Sequence, residues 1–228
     1  MQKISRYIIL LNSILFCSIL HPIVAQDKKD TTNIKAPVYQ GFTIEFDAVP
    51  LAETISSNGE KYGMQGNIQV NLKRSYFPVL ELGYGGSRKT LANQISYKGS
   101  GLYEKIGIDF NLMKQKPGTA LQHNFLLAGI RLGMSHFNYN IDNLPLTDTY
   151  WGGSDIINIS QPTTKVWVEI VASMRVEIYK RIMMGWSIRN KHLFGNLENG
   201  NYTPWYIQGY GKSASSVWGF SYVIGYRF

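Results

Sequence analysis

The sequence predicts an all-β protein, an eight-stranded antiparallel up-and-down transmembrane β-barrel. First, apolar and polar side chains alternate with a period of two over long stretches. Second, only 17% of the 228 residues are charged, while 13% are aromatic and 22 are glycine, a composition typical of β-rich chains. Third, several alternating stretches reach the roughly 9–11 residues that a tilted strand needs to cross a membrane.

The first 26 residues are predicted to be a cleaved signal peptide. Lys3 and Arg6 precede an apolar run, and the small residue Ala25 lies near the end of the segment, which is the order found in secretory signals. A retained anchor helix is the alternative, but Pro22 ends the run short of the roughly 20 residues that a spanning helix needs. Cys17 within the run allows a lipoprotein signal, which the bulky Phe16 before it disfavours. Residues 27–40 are polar and aperiodic, so we predict a flexible linker and a barrel over 41–228.

Composition also excludes several classes of site. Cys17 is the sole cysteine, so the mature chain has no disulfide, thiol nucleophile or cysteine metal site. The net charge of +8 is scattered and forms no nucleic-acid-binding motif. His123, His136 and His192 are too dispersed to indicate a metal centre. We therefore predict no metal, no cofactor and no nucleic-acid partner.

Eight segments show the strand alternation, and in each the large apolar side chains recur at even-numbered positions. The first carries Phe42, Ile44 and Phe46 at these positions. The predicted strands are 41–49, 62–72, 76–85, 101–112, 124–139, 163–179, 182–191 and 215–228. Long connections at 50–61, 86–100, 140–162 and 192–214 alternate with short ones at 73–75 and 180–181 and an intermediate one at 113–123. This alternation is expected of external loops and tight periplasmic turns.

The odd-numbered positions of the same strands carry the charges. A soluble sandwich or a lipocalin-like barrel would bury the apolar face instead, but an eight-stranded barrel has too little interior room for such bulky side chains. We therefore expect the apolar face to meet lipid, with the last strand closing the sheet because lipid tolerates no open edge. The predicted polar network of the lumen comprises Glu45, Asp47, Glu81, Lys105, Asp109, Arg131, Glu169, Arg175, Glu177 and Arg189.

This polar interior has two interpretations. Isolated buried charges are costly, so the side chains are expected to pair and fill the lumen with salt bridges. The alternative is a narrow or gated pore for small polar solutes, although eight strands are too few for an open porin channel.

The last strand ends in alternating large side chains: Phe220, Tyr222, Ile224, Tyr226 and Phe228. In this pattern the chain resembles the small outer-membrane barrels of double-membraned bacteria, in the manner of OmpA and OmpX. The resemblance implies that a final Phe with apolar residues at alternate positions is an assembly signal. It further implies the barrel-assembly machinery and outer-membrane lipid as partners, and a location in the bacterial cell outer membrane. The stretches YEKIGIDFNL, GIRLGMSHFNY and PWYIQGYGK resemble an uncharacterised family of such barrels, which implies no activity.

Two further features bear on function. His136 has even parity near the external end of its strand, and some outer-membrane lipid-modifying enzymes keep a His and Ser pair on the outer wall. Here Ser135 has the opposite parity, which separates the pair, and Asn138 shares the face instead. Trp151 and Trp205 lie in long loops, where they either bind an extracellular ligand or belong to the aromatic belt at the headgroups.

The sequence therefore predicts a non-catalytic integral outer-membrane protein, structural or binding a ligand or partner through its extracellular loops. The alternatives are the narrow pore and a hydrolase or acyltransferase acting on lipid A or phospholipid.

Overall fold

A computed structural model describes residues 38–91, 94–113, 124–147, 154–195 and 202–228. The predicted signal peptide, most of the predicted linker and Trp151 lie outside these ranges. The strands are β1 (Tyr39–Asp47), β2 (Lys61–Leu72), β3 (Tyr76–Thr90), β4 (Ser96–Asn111), β5 (Phe125–Thr147), β6 (Ser154–Tyr179), β7 (Ile182–Leu193), β8 (Tyr206–Ile207), β9 (Gly211–Lys212) and β10 (Ser216–Arg227). One helix, α1 (Val49–Ser56), follows β1.

Eight of the strands form one antiparallel sheet that closes into a ring in the order β1-β10-β7-β6-β5-β4-β3-β2. Closure is made by β1 and β10, which pair from Thr43 opposite Arg227 to Asp47 opposite Val223. The two short strands β8 and β9 pair only with each other. The eight antiparallel strands predicted from the alternation are confirmed.

Side-chain parity in the ring also follows the prediction. Glu169 and Val223, at odd positions, are 0% and 1% exposed, whereas Leu102 and Trp218, at even positions, are 65% and 72% exposed. Because successive side chains of a strand point to opposite faces, one wall is charged and enclosed and the other is apolar and outward.

The ring has two unlike ends. At the turn end, tight connections such as Lys180-Arg181 join the strands. At the other end lie α1 and the segment 202–215. We call the segment 202–215 the cap. The cap carries the β8–β9 hairpin between β7 and β10.

Some predicted loops are wrong, because strands extend toward the cap end. The residues 86–90 pair with 96–100, so β3 and β4 form one long hairpin. Similarly, β5 and β6 stay paired from Asn140 opposite Ser160 to Thr147 opposite Ser154, with a register shift between Ile141 and Leu144. These extensions lack the regular apolar alternation of the ring's outer face, and cross-strand pairing sets their conformation.

The predicted loop 50–61 is also wrong, since α1 occupies much of it. Pro50 lies in the first turn of this helix, where its missing N–H costs no hydrogen bond. Val49 N–H donates to Asp47 Oδ1 at 3.0 Å, which ties the helix start to the end of β1. The helix buries none of its residues, so local turn chemistry and not core packing places it.

No helix within the described ranges has the length and apolar character required to cross a membrane.

Candidate functional site

The middle of the ring holds a buried network of charged side chains. They come from five neighbouring strands of the ring. Glu81 lies at its centre, with Arg189 Nη1 2.6 Å from its Oε2 and Arg131 Nε 3.2 Å from its Oε1. Lys105 Nζ lies 3.3 Å from Glu81 and 3.5 Å from Glu169. The network therefore joins β3, β4, β5, β6 and β7 across the interior.

Neutral side chains complete this network. Gln65 donates to Glu81 Oε2 at 3.1 Å, and Gln69 donates to Asp109 Oδ2 at 2.9 Å. Asp109 also accepts from Arg131 at 2.7 Å. Trp167 Nε1 donates to Glu169 at 2.7 Å. These additional hydrogen bonds offset the desolvation of the charges, which attraction between the ions alone does not.

The other predicted network residues are placed separately. Glu45 accepts two hydrogen bonds from Arg175, at 2.6 and 3.0 Å, nearer the turn end. Asp47 is buried, and its Oδ1 accepts the backbone N–H groups of Val49 and Tyr222. Glu177 pairs with Arg227 at 2.9 Å beside the tight turn.

Apolar side chains close the interior below the network. Phe77, Phe125, Leu127 and Met183 form a buried cluster at the turn end, and the rings of Phe77 and Phe125 meet edge to face at 5.0 Å. The cavity beside this cluster measures only about 10 Å³. The ring is therefore filled at this level.

The cap closes the interior above the network. Ile207, Gln208 and Tyr210 are at most 1% exposed. Tyr97 Oη donates to the Tyr206 carbonyl at 3.0 Å, and Lys191 Nζ donates to the carbonyls of Gly209 and Tyr210 at 2.8 and 3.0 Å. Trp205, predicted to bind a ligand or line the membrane interface, is half-buried with its ring 5.9 Å from that of Tyr97.

Gly209 allows the cap to lie this close to the wall. Its φ is +75°, and a Cβ there would collide with the ring of Tyr103. Only glycine accepts both conditions without strain.

Between the cap and the network lies a polar cavity of about 530 Å³. Its lining includes Asp47, Lys105 and Arg189 from the interior and Lys191, Tyr206 and Gln208 from the region of the cap. Burial, with a smaller contribution from the charge of Glu53, raises the pKa of the Tyr206 phenol, so that group is neutral and able to donate a hydrogen bond.

The outer wall carries a second concave region, a groove of about 1280 Å³. His136 Nδ1 and Thr164 Oγ1 lie 2.8 Å apart within it. Glu104, also in the groove, is exposed between the outward residues Leu82 and Met134 of the neighbouring strands. Ser135 lies on the interior side, 0% exposed, and donates to the Leu102 carbonyl. The separation of His136 from Ser135 predicted from parity is thus observed.

Several of these residues are absent from the charges singled out in the sequence. Gln65 and Gln69 are at odd-numbered positions, so the alternation predicts that they face the interior. It does not predict their hydrogen-bond partners. Glu104 interrupts an apolar even-parity series, which is a visible anomaly. Gln208 lies in a connection without periodicity, and no signal in the sequence marks it.

The predicted terminal pattern occupies the outer face of β10. Phe220, Ile224, Tyr226 and Phe228 are exposed, and Tyr222 is half-buried. Phe228 stacks on Phe42 with ring centroids 4.8 Å apart. Over the ranges that the structure describes, no three His, Cys, Asp or Glu side chains are grouped to hold a metal ion.

Comparison with known proteins gives one family. A family model described as "Domain of unknown function (DUF6048)" matches residues 4–228. No curated protein matches the chain.

Proposed function

We propose that this chain, which belongs to the DUF6048 family, is an integral β-barrel of the bacterial outer membrane. In this proposal the barrel does not conduct solutes and is non-catalytic, and its cap end, facing the cell exterior, binds a ligand or partner. The main support for this proposal is that charged side chains face the interior of the ring and apolar side chains face outward. Charges such as Glu81 and Glu169 are at most 1% exposed, while Ile106 and Ile170 are more than 60% exposed.

Water is a poor solvent for such an outer face. Covering one large apolar side chain stabilises a protein by about 1.5–3 kcal/mol, and this face presents such side chains on all eight strands of the ring. Extended exposed apolar surfaces mark protein or membrane contacts. A closed ring leaves no unpaired strand edge, which is the condition for a sheet to lie in lipid.

The filled interior supports a barrel that does not conduct. A solute would have to pass the cap, the salt-bridged network and the apolar cluster around Phe77 in turn. Each layer is held by contacts across the ring, so opening a path requires breaking several of them together.

Membrane fractionation tests the location. We expect the mature chain in the outer-membrane fraction, with faster gel migration unheated than boiled because a closed sheet resists detergent. A mature chain that stays soluble and folded without detergent would overturn the membrane assignment.

Planar bilayers test the absence of conductance. We expect no reproducible steps from the purified protein. Steps that disappear when Arg131 or Glu169 is replaced would instead establish the narrow pore.

A second candidate function is modification of lipid A or phospholipid, favoured by the His136–Thr164 pair in the outer groove. A hydroxyl 2.8 Å from an imidazole has the spacing of a nucleophile and its general base. However, β5 pairs with β6 without a register shift from Phe125 to Ile141, so the ladder engages the backbone N–H groups that could otherwise stabilise an oxyanion. Lipid hydrolysis lost in His136→Ala and kept in Asn138→Ala would establish this activity over the non-catalytic proposal.

A further inference from the structure

We infer that the 530 Å³ cavity between the cap and the charge network is a binding site for a small acidic sugar. The inference deepens the proposed function and rests on it for one point, that the cap end, beside which the cavity lies, faces the cell exterior. The volume lies within the 300–1,000 Å³ typical of small-molecule sites.

The charge of the lining favours an anion. Lys61, Lys191 and Lys212 line the cavity together with Lys105 and Arg189. The last two are held by Glu81 and Glu169, whereas Lys191 donates to two cap carbonyls.

The carboxylates of the lining only partly offset this charge, since two acids face the three lysines that are not held by Glu81 and Glu169. Asp47 and Glu53 are the acidic lining residues. Asp47 Oδ1 already accepts two backbone N–H groups. A carboxylate on the ligand would supply Lys191 with the ionised acceptor that strengthens such a hydrogen bond.

Gln208 provides the polar specificity. Its side chain is 0% exposed, and among the described residues neither Oε1 nor Nε2 has a hydrogen-bond partner. A buried amide without partners destabilises the folded protein, so its presence here needs a compensating role. A ligand that both accepts from Nε2 and donates to Oε1, as hydroxyl and carboxylate groups together do, would supply both partners.

Glycines form part of the wall beside Gln208. Gly85 and Gly99 face the side chain, and a Cβ at Gly99 would lie 3.4 Å from Nε2. Ser87, which pairs with Gly99 across the hairpin, also has a buried Oγ without a partner among the described residues.

Aromatic side chains supply the apolar part of the site. Tyr62, Tyr103, Tyr206 and Tyr210 line the cavity. The C–H faces of a sugar ring pack against such rings, while the surrounding hydroxyls reach polar groups. An acidic sugar matches all three components of the lining: its carboxylate suits the lysines, its hydroxyls suit the Gln208 amide, and its apolar face suits the aromatic rings.

The test uses the full mature chain folded in detergent, with glucuronate as the probe and glucose as its neutral counterpart. Binding is followed through the side-chain amide resonance of Gln208 in the isotope-labelled protein. We expect glucuronate to move this resonance saturably and glucose to leave it in place. If glucuronate leaves it unchanged, or both sugars move it equally, the inference is overturned.

Two variants distinguish binding in the cavity from a general attraction of glucuronate to a positively charged protein. Lys191→Gln should weaken glucuronate binding about tenfold or more, since it removes the charge-assisted contact. Lys73→Gln removes the same charge at an exposed position in the turn between β2 and β3 and should bind like the unmodified chain. Equal weakening by both variants would show a bulk charge effect and contradict the site.

Gln208→Leu distinguishes a binding role from a structural one. Binding is followed here by calorimetry. A leucine of similar size removes the unpartnered amide, so the variant should unfold at the same or a higher temperature while losing glucuronate affinity. Unchanged affinity would contradict the role of the amide.

The outcomes also separate this inference from the proposed function. A chain that binds glucuronate but fractionates away from the outer membrane would refute the location and keep the site. A chain located in the outer membrane that fails the glucuronate titration would refute the site and keep the location.

Discussion

At the scale of single residues, Glu81 shows what a buried charge requires in this protein. Arg189, Arg131 and Lys105 lie at 2.6, 3.2 and 3.3 Å from its carboxylate, and Gln65 donates to it at 3.1 Å. Parity placed Glu81 in the interior, because a period of two assigns each side chain to one face. Its partners come from other strands at heights set by the stagger of the ring, so the sequence could not pair them. Asp47, also predicted to join the network, serves the start of α1 instead, because the helix that begins two residues later places a backbone N–H beside its carboxylate.

The first prediction concerns Glu81→Gln. The substitution keeps the shape and leaves three cations sharing fewer carboxylates, so it should lower the free energy of unfolding by about 3–5 kcal/mol. Urea unfolding of the protein refolded into lipid vesicles measures the change. Glu60→Gln, at an exposed position, removes the same charge and should change the free energy by less than about 0.5 kcal/mol. A loss in Glu81→Gln no larger than in the control would indicate a hydrated interior and contradict the packed network.

At the scale of elements, the sequence predicts what periodicity encodes. The central parts of all eight ring strands, with their inward and outward faces, follow from the alternation of residues such as Ile106 and Asp109. The extensions of β3 to β6 and the helix α1 do not, because polar residues on both faces carry no period. The cap is the largest part of the fold that the sequence does not predict. Its burial depends on long-range contacts, such as the hydrogen bond from Tyr97 to the Tyr206 carbonyl, which joins residues 109 apart in the chain.

The turn between β6 and β7 yields a prediction at this scale. Lys180 and Arg181 have φ values of 33° and 76°, the left-handed region that two-residue hairpins require and that side chains disfavour. Arg181→Gly should therefore raise the free energy of unfolding by about 0.5–1 kcal/mol. The same vesicle unfolding assay applies. Ser75→Gly provides a control at a turn residue that lacks positive φ, and it should be neutral or slightly destabilising. Stabilisation by Ser75→Gly alone would refute the strain at Arg181.

At the scale of the whole molecule, closure depends on the seam between β1 and β10. This seam has five register pairs, whereas β4 and β5 have sixteen. Phe228 extends the seam by one residue, since its N–H donates to the Phe42 carbonyl at 2.8 Å and its ring stacks on that of Phe42. Tyr226 meets Phe228 edge to face at 4.9 Å. The terminal aromatic pattern is thus positioned both to strengthen the closing seam and to stay accessible on the outer face.

The last prediction tests whether Phe228 directs assembly. Phe228→Ala removes the stacked ring at the seam and the terminal aromatic of the proposed signal, so export across the inner membrane should continue while insertion into the outer membrane falls. Phe110→Ala is the matched control, because Phe110 is also an exposed aromatic near the turn end, packed at 5.8 Å against Tyr76, but lies away from the seam. The heat-modifiable fraction in outer membranes, compared with the processed chain in the periplasm, measures each step. Equal insertion of the two variants would show that Phe228 contributes only ordinary interfacial packing, worth about 0.5–1.5 kcal/mol for one aromatic pair, and that assembly reads another part of the chain.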